Sequence, residues 1–224
     1  MARGFGSTFG AGSSDIISTA LSAHATLRSY SLMTYRNGDG GANFGLIFSK
    51  RQTADAELFQ NASGATNAYR YQRNWSTTNG SWIIARPSTG AWHQAGVSYD
   101  SGSTSNVPTM VIDGVSQSVT TELSPSGSVV NNSDPYTLGN RASDTARAWD
   151  GMLCEFAIWD AILTAEEWAA LGARVSPLEI RPQSLTLYRP DVRNNLNVRA
   201  FTPGTISGTA VQPHPRMFYP PRAR

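Results

Sequence analysis

Between Tyr30 and Trp159 the chain is cut by turn-forming clusters, about every 8–12 residues, into short runs that alternate in polarity. "YSLMTY" (30–35) runs into "RNGDGGAN", a dense turn signal. "FGLIFSK" (44–50) puts Phe44, Leu46 and Phe48 on one face at period two, and "AYRYQRNW" (68–75) does the same for Tyr69, Tyr71, Arg73 and Trp75. "SWIIA" (81–85) and "AWHQAGVSYD" (91–100) follow, the latter aligning Ala95, Val97 and Tyr99. In "TMVIDGVSQSV" (109–119), Asp113-Gly114 sits between two β-prone runs, and that dipeptide favours the positive-φ backbone of a tight hairpin. "PYTLGN" (135–140) and "MLCEFAIW" (152–159) read as the last core strands. Strands this short and evenly spaced predict an all-β sandwich or barrel and exclude βαβ units.

One segment breaks the pattern. In "AILTAEEWAALG", Thr164 is a good N-cap and Glu167, three residues on, completes a capping box. Leu163 and Trp168 are spaced as a hydrophobic staple, and Gly172 is expected to close the helix as its C′ residue. Two turns are too few to be stable alone. The helix therefore has to pack Trp168 and Leu171 on an apolar surface, and the sheet whose strand feeds it is the expected one.

The 224 residues are 40% apolar and 10% aromatic, enough to fill a core. No apolar run approaches the ~18 residues of a membrane helix, and the opening "MARGFGSTFGAGSSD" lacks the apolar stretch of a secretory signal. The expectation is a protein made in a cytoplasm, with no membrane partner. A single cysteine, Cys154, allows no intrachain disulfide; at period two it shares a face with Phe156 and Ile158, which predicts a buried, inert thiol. Sequons at Asn61, Asn74, Asn79 and Asn131 read as chance products of an Asn/Ser-rich surface. The net charge of +2 divides unevenly: residues 1–173 carry 10 basic and 14 acidic side chains, residues 174–224 carry 8 and 2, and all eight of those basic residues are arginine. Spread along the segment rather than clustered, they argue against nucleic acid and for either a solvated tail or one that docks on an acidic protein surface.

The motifs "GAWHQAGVSYD", "TMVIDGV", "YTLGNR", "WDGMLCEFAIWD" and "AILTAEEWAAL", in that order over roughly 30–172, resemble the laminin-G-like, concanavalin-A-like jelly rolls. The resemblance implies an all-β jelly-roll sandwich of two antiparallel sheets, capped by a short helix near residues 165–171. Cys154 stands where that family usually has Asp, and Glu155 is kept. "SLTLYRP" followed by "TISGTAVQPHPRMFYPP" resembles the tails that follow this domain in bacteriophage and prophage proteins, which implies a virion component. The expected organisation is an arm or first strand over 1–27, the sandwich over 28–190 and an extended basic, Pro-rich tail over 191–224.

Little chemistry is legible. Glu155 and Asp160, the nearest carboxylate pair, are five residues apart and fall on opposite strand faces, whereas a retaining glycosidase needs two carboxyls ~5 Å apart. His24, His93 and His214 have no ligand spacing. There is no G-x-S-x-G elbow, although a Ser-rich chain leaves a Ser/His/Asp arrangement open. Asn37, Asp39 and Asn43 offer calcium one carboxylate and two amides, and turn chemistry explains the same residues. No cofactor is expected, with calcium as the one option. The main expectation is a non-enzymatic capsid decoration or accessory protein. Its partner would be the major capsid protein or another virion protein, and it would form a homo-oligomer, with a trimer as one option. Its tail residues Arg216, Met217, Phe218, Tyr219, Arg222 and Arg224 would anchor on a neighbouring subunit. The alternative is a lectin-like module on a phage tail or fibre that binds a surface glycan, with Tyr69, Tyr71, Trp75 and Trp82 as its aromatic platform.

Overall fold

A computed structural model describes residues 2–5, 16–19, 21–22, 24–50, 56–61, 67–141, 145–190, 205–213 and 215–218. The strands are β1 (Ala2–Phe5), β2 (Ile16–Ser18), β3 (Leu27–Arg36), β4 (Leu46–Lys50), β5 (Ala56–Asn61), β6 (Ala68–Arg73), β7 (Gly80–Ala85) and β8 (Trp92–Asp100). There follow β9 (Thr109–Ile112), β10 (Val115–Ser116), β11 (Thr120–Leu123), β12 (Thr137–Leu138) and β13 (Gly151–Trp159), then helix α1 (Ala165–Gly172), β14 (Leu185–Arg189), β15 (Thr205–Ser207) and β16 (Ala210–Gln212). One sheet runs β10-β9-β8-β3-β13-β1-β16 with β14 also on β13; the other runs β11-β7-β6-β5-β4-β12-β2-β15. Every strand pair is antiparallel. The expected sandwich is present. Strands on either side of 28–190 pair with it: β1 and β16 join the first sheet, β2 and β15 the second.

Alternation builds the core. Tyr30 and Leu32 from β3, Ala95, Val97 and Tyr99 from β8, and Tyr69, Tyr71, Trp82 and Ile84 from β6 and β7 all point between the sheets. Their rings interlock: Tyr30 stacks on Phe48 at 4.6 Å, Trp82 meets Tyr99 at 4.9 Å, and Tyr71 meets Trp82 at 6.0 Å. Each such ring withdraws ~150–250 Å² from water, a gross gain of roughly 4–6 kcal/mol before entropy is counted. Phe44 lies outside β4, its ring under the Arg147 guanidinium at 4.8 Å, while Ile47 and Phe48 both reach the core.

All nine residues of β13 are buried, and the strand changes phase midway. Its register on β3 shifts between Cys154 and Ala157, and Glu155 takes a φ of 58°. This β-bulge inserts one unpaired residue, so Leu153 and Phe156 both face the core. Cys154 therefore does not share a face with Phe156 and Ile158; it lies on the outer face with Met33 and Met152. The bulge also divides the strand's second edge, which pairs β1 before it and β14 after it. The Glu155 carboxyl is buried and accepts a hydrogen bond from the Tyr188 hydroxyl.

Helix α1 forms as its caps dictate. Thr164 Oγ1 accepts the Glu167 N–H at 3.3 Å, and Glu167 Oε2 accepts the Thr164 N–H at 2.8 Å. Its C-terminus differs from expectation: Gly172 is the last helical residue and Arg174, at φ 66°, is the left-handed closing residue. Bonds from Val175 N–H to Ala170 O (3.0 Å) and from Arg174 N–H to Leu171 O (2.9 Å) make a Schellman closure. Gly172 is small for another reason. A Cβ there would lie 2.4 Å from the Asp113 carbonyl carbon, so the helix rests directly on the β9–β10 turn. A Cβ on Gly96 of β8 would lie 2.3 Å from the Trp168 ring. The glycine leaves the space that the indole occupies.

At the far end of the sandwich His24 Nδ1 bonds to the Tyr136 hydroxyl at 2.9 Å. Burial, reinforced by Arg73, Arg28 and Lys50, lowers its pKa from 6.5 to about 2.

Two outcomes are expected. Gly96→Ala lowers stability by about 1–3 kcal/mol in urea unfolding, and by much less in a Trp168→Ala background; equal costs in both backgrounds would contradict the contact. Below pH 6.5 the unfolded chain gains a proton on His24 that the fold refuses, so stability falls with acidification. Between pH 7.5 and 5 this amounts to roughly 2 kcal/mol, absent in His24→Gln; parallel pH curves for the two proteins would refute it.

Candidate functional site

The turns after β3, β7 and β9 and the starts of β6, β8 and β11 converge on one rim of the sandwich. There the start of β6 and the end of β7 lie beside the start of β11, with Ala68 opposite Ala85 and Ile83 opposite Thr120. A groove of about 270 Å³ lies between them. It is lined by the apolar residues Ala68, Ile83, Ile84 and Ala85 and by the polar residues Asn67, Ser118 and Thr120. Ligand pockets start at ~300 Å³, so the groove suits a small ligand or one end of a longer one.

Fixed charges orient the groove's edge. Arg86 donates to Asp39 Oδ1 at 2.7 Å and to Asn67 Oδ1 at 3.0 Å. Arg36 donates to the Pro87 carbonyl at 3.0 Å and lies 3.4 Å from the same Asp39 oxygen. With its oxygen engaged by Arg86, the Asn67 amide presents its NH₂ as a donor. Beyond the Arg86 turn, Tyr35 and Trp92 meet edge to face at 5.6 Å, both half-buried. Next to them His93 Nδ1 lies 2.6 Å from Asp113 Oδ2, and His93 Nε2 lies 3.5 Å from Ser88 Oγ.

The calcium residues do not fit calcium. Asp39 Oδ1 is already held by two guanidinium groups. "NGDGGAN" is a turn pressed against 146–148: a Cβ on Gly41 would lie 2.0 Å from the Ala146 carbonyl oxygen. Among the described residues no three His, Cys, Asp or Glu side chains gather as a metal site.

The expected aromatic platform is not a surface. Tyr69 and Tyr71 are 1% exposed, Trp75 7% and Trp82 0%, because the face they share is the inner face of their sheet. Period two shows that they lie together; it does not show which side is wet. Glu155 and Asp160 are likewise occupied, Glu155 by Tyr188 and Asp160 by Arg28 at 2.5 Å.

Of the tail residues, Tyr219, Arg222 and Arg224 lie outside the described residues. The described part lies on its own sandwich. Phe218 exchanges backbone bonds with Arg174 (2.8 Å) and Ser176 (3.0 Å), and Met217 packs by Ala2, Met33, Met152 and Cys154. Arg216 lies over the Phe218 ring at 5.6 Å. Arg216, Met217 and Phe218 thus have contacts within their own chain, and 51% of Phe218 stays exposed.

The rim was missed because its residues come from separated segments, each unremarkable alone. The sequence signals that fall there, Asp113-Gly114 and the "NGDGGAN" turn that holds Asp39, read as turns and do not show the groove.

The Laminin_G_3 family, described as the concanavalin A-like lectin/glucanases superfamily, matches residues 12–168. A Bacteroides ovatus protein described as carbohydrate binding superimposes with a TM-score of 0.67 at 14% identity, over 95% of this chain and 59% of that one. The heptameric SAP-like pentraxin of Limulus polyphemus gives 0.58 at 13% identity, over 87% and 85% of the two chains. The enzymatically active domain of tailspike protein 2 from bacteriophage CBA120 gives 0.56 at 12% identity, over 85% of this chain and 31% of that one. At these identities the likeness is one of fold. This chain thus spans 59% of the length of the Bacteroides protein. No curated protein matches it.

The Asp39 pairing carries an expected outcome. Millimolar calcium or EDTA leaves the thermal midpoint unchanged, as read by differential scanning fluorimetry; a calcium-dependent rise abolished by Asp39→Asn would overturn it.

Proposed function

We propose that this chain, which belongs to the concanavalin A-like lectin/glucanases superfamily, is a carbohydrate-binding module that holds a glycan at its rim without cleaving the glycosidic bond. The groove bounded by Asn67, Ile83 and Thr120 carries the reading. A sugar ring offers an apolar C–H face and a hydroxyl edge. Ala68 and Ile83 take the first; Asn67, Ser118 and Thr120 bond to the second. Arg86 fixes Asn67 before the ligand arrives, so little ordering entropy is lost on binding. Neutral sugars suit the site, since Asp39 offsets the nearer guanidinium charge. Glu155 and Asp160 are occupied by Tyr188 and Arg28, which leaves that pair no role in glycosidic cleavage.

The module's place is a bacteriophage tail or fibre engaged in host attachment. The support is the phage-like pattern of "SLTLYRP" and "TISGTAVQPHPRMFYPP" and the fold shared with the CBA120 tailspike domain. One support for a capsid decoration role is a tail that reaches a neighbour. The described part of the tail is instead taken up by its own sheets through β15, β16 and Phe218.

A glycan array probed with the purified protein, followed by calorimetry on the best ligand, tests the reading. Saturable binding is expected, weakened about tenfold by Asn67→Ala, the loss of one or two hydrogen bonds. Ile83→Glu, with its midpoint checked by fluorimetry, is expected to abolish it. No glycan bound, or both variants binding as wild type, would overturn the assignment.

A further inference from the structure

The rim holds a second constellation that sugar binding does not use. His93, at the start of β8, lies between two partners: Asp113 Oδ2 at 2.6 Å from Nδ1 and Ser88 Oγ at 3.5 Å from Nε2. Three segments supply them: the β7–β8 turn, β8 and the β9–β10 turn. Asp113 is held in place, since its other oxygen accepts the Gln94 N–H at 2.8 Å and its own N–H donates to the Gln94 carbonyl at 2.9 Å. The Asp113 carboxylate accepts the imidazole Nδ1–H. Nε2 is thereby left as the acceptor for the Ser88 hydroxyl. Locking a hairpin explains the Asp113–Gln94 bonds; it does not require an imidazole directed at a serine.

We propose that Ser88, His93 and Asp113 form a nucleophile, a general base and its orienting carboxylate that hydrolyse a short-chain acyl ester. Such relays are defined by geometry and roles rather than by chain order, and apo nucleophile–base contacts are commonly long. Ser88 is exposed, and His93 and Asp113 side chains are 19% and 47% exposed, so an ester reaches the hydroxyl from solvent. The neighbouring Gly90 has open space beside it: a Cβ there would meet only the Tyr35 hydroxyl, at 4.0 Å, which leaves room for a small acyl group. The Thr89 backbone N–H donates to no acceptor among the described residues and is the nearest donor in sequence for a developing oxyanion.

In the first step Ser88 Oγ bonds to the acyl carbon and its proton passes to His93 Nε2. The carbon–alkoxy bond then breaks, and the alcohol leaves with that proton. In the second, water attacks the acyl-serine, gives a proton to His93 and releases the acid; the proton returns to Ser88 Oγ. Nothing is oxidised or reduced, and water is the only co-reactant. An O-acyl sugar is the substrate class. The sugar half rests on the carbohydrate-binding reading; the acyl chemistry does not.

The full chain is treated with a fluorophosphonate probe and the adduct is located by peptide mass spectrometry, alongside turnover of 4-nitrophenyl acetate. The expected results are an adduct on Ser88 that is lost in His93→Gln, and turnover that falls ~100-fold in Ser88→Ala and His93→Gln. Ser88→Ala should keep the wild-type thermal midpoint and glycan binding, which separates failure here from failure of the binding reading. No adduct, an adduct spread over other serines, or a Ser88→Ala protein as active as wild type would overturn the proposal. Acetate released from an O-acetylated oligosaccharide supports the sugar-ester class; cleavage of the aryl ester alone overturns that class.

Discussion

The sheet built on β3 and β13 is apolar on both faces, and much of the architecture follows from that. Its inner face meets the aromatic layer of the second sheet. Its outer face carries Val111, Ala157, Trp159 and Tyr188 on one half and Met33, Met152 and Cys154 on the other. Left in water, such a face would be an exposed patch that soluble chains avoid. Helix α1 covers the first half through Trp168 and Leu171, and the segment ending at Phe218 brings Met217 to the second. Two lids that look unrelated in the sequence answer one requirement. The bulge at Glu155 serves it too, because it moves Ala157 and Trp159 to the helix side and turns Phe156 and Ile158 into the core.

Covering that face shapes the rim. Helix α1 lies against the Asp113-Gly114 turn closely enough that neither Gly114 nor Gly172 tolerates a side chain. That contact fixes the turn, the turn fixes Asp113, and Asp113 orients His93. On the other sheet the Asp39–Arg86–Asn67 chain ties the β3–β4 turn to the start of β6. Asp113, His93 and Asn67 are each held by a partner outside their own turn.

What the sequence disclosed and what it concealed divide along a physical line. Local signals were legible: alternation gave the long strands, Asp113-Gly114 gave the hairpin, and Thr164 with Glu167 gave the helix start. Features set by distant partners were not. The bulge exists because β13 has two different neighbours along one edge, β1 and β14, far apart in the chain. β2 and β15 are three-residue strands without a hydrophobic pattern, recruited only by pairing. Tyr69, Tyr71, Trp75 and Trp82 were grouped correctly but assigned to the wrong side, since both faces of a sheet obey the same period. The groove depends on Asn67, Ile83 and Thr120 meeting across strand pairs that no local pattern encodes.

The central claim is that glycan binding occurs in the rim groove. Its most direct test is an amide chemical-shift map of the isotopically labelled chain titrated with a bound oligosaccharide. The account predicts saturable shifts confined to Asn67, Ala68, Ile83–Ala85 and Ser118–Thr120, with the helix and the β13 bulge unmoved. Shifts clustered at the opposite end, around His24 and Tyr136, or spread over the outer face beside α1, would contradict it.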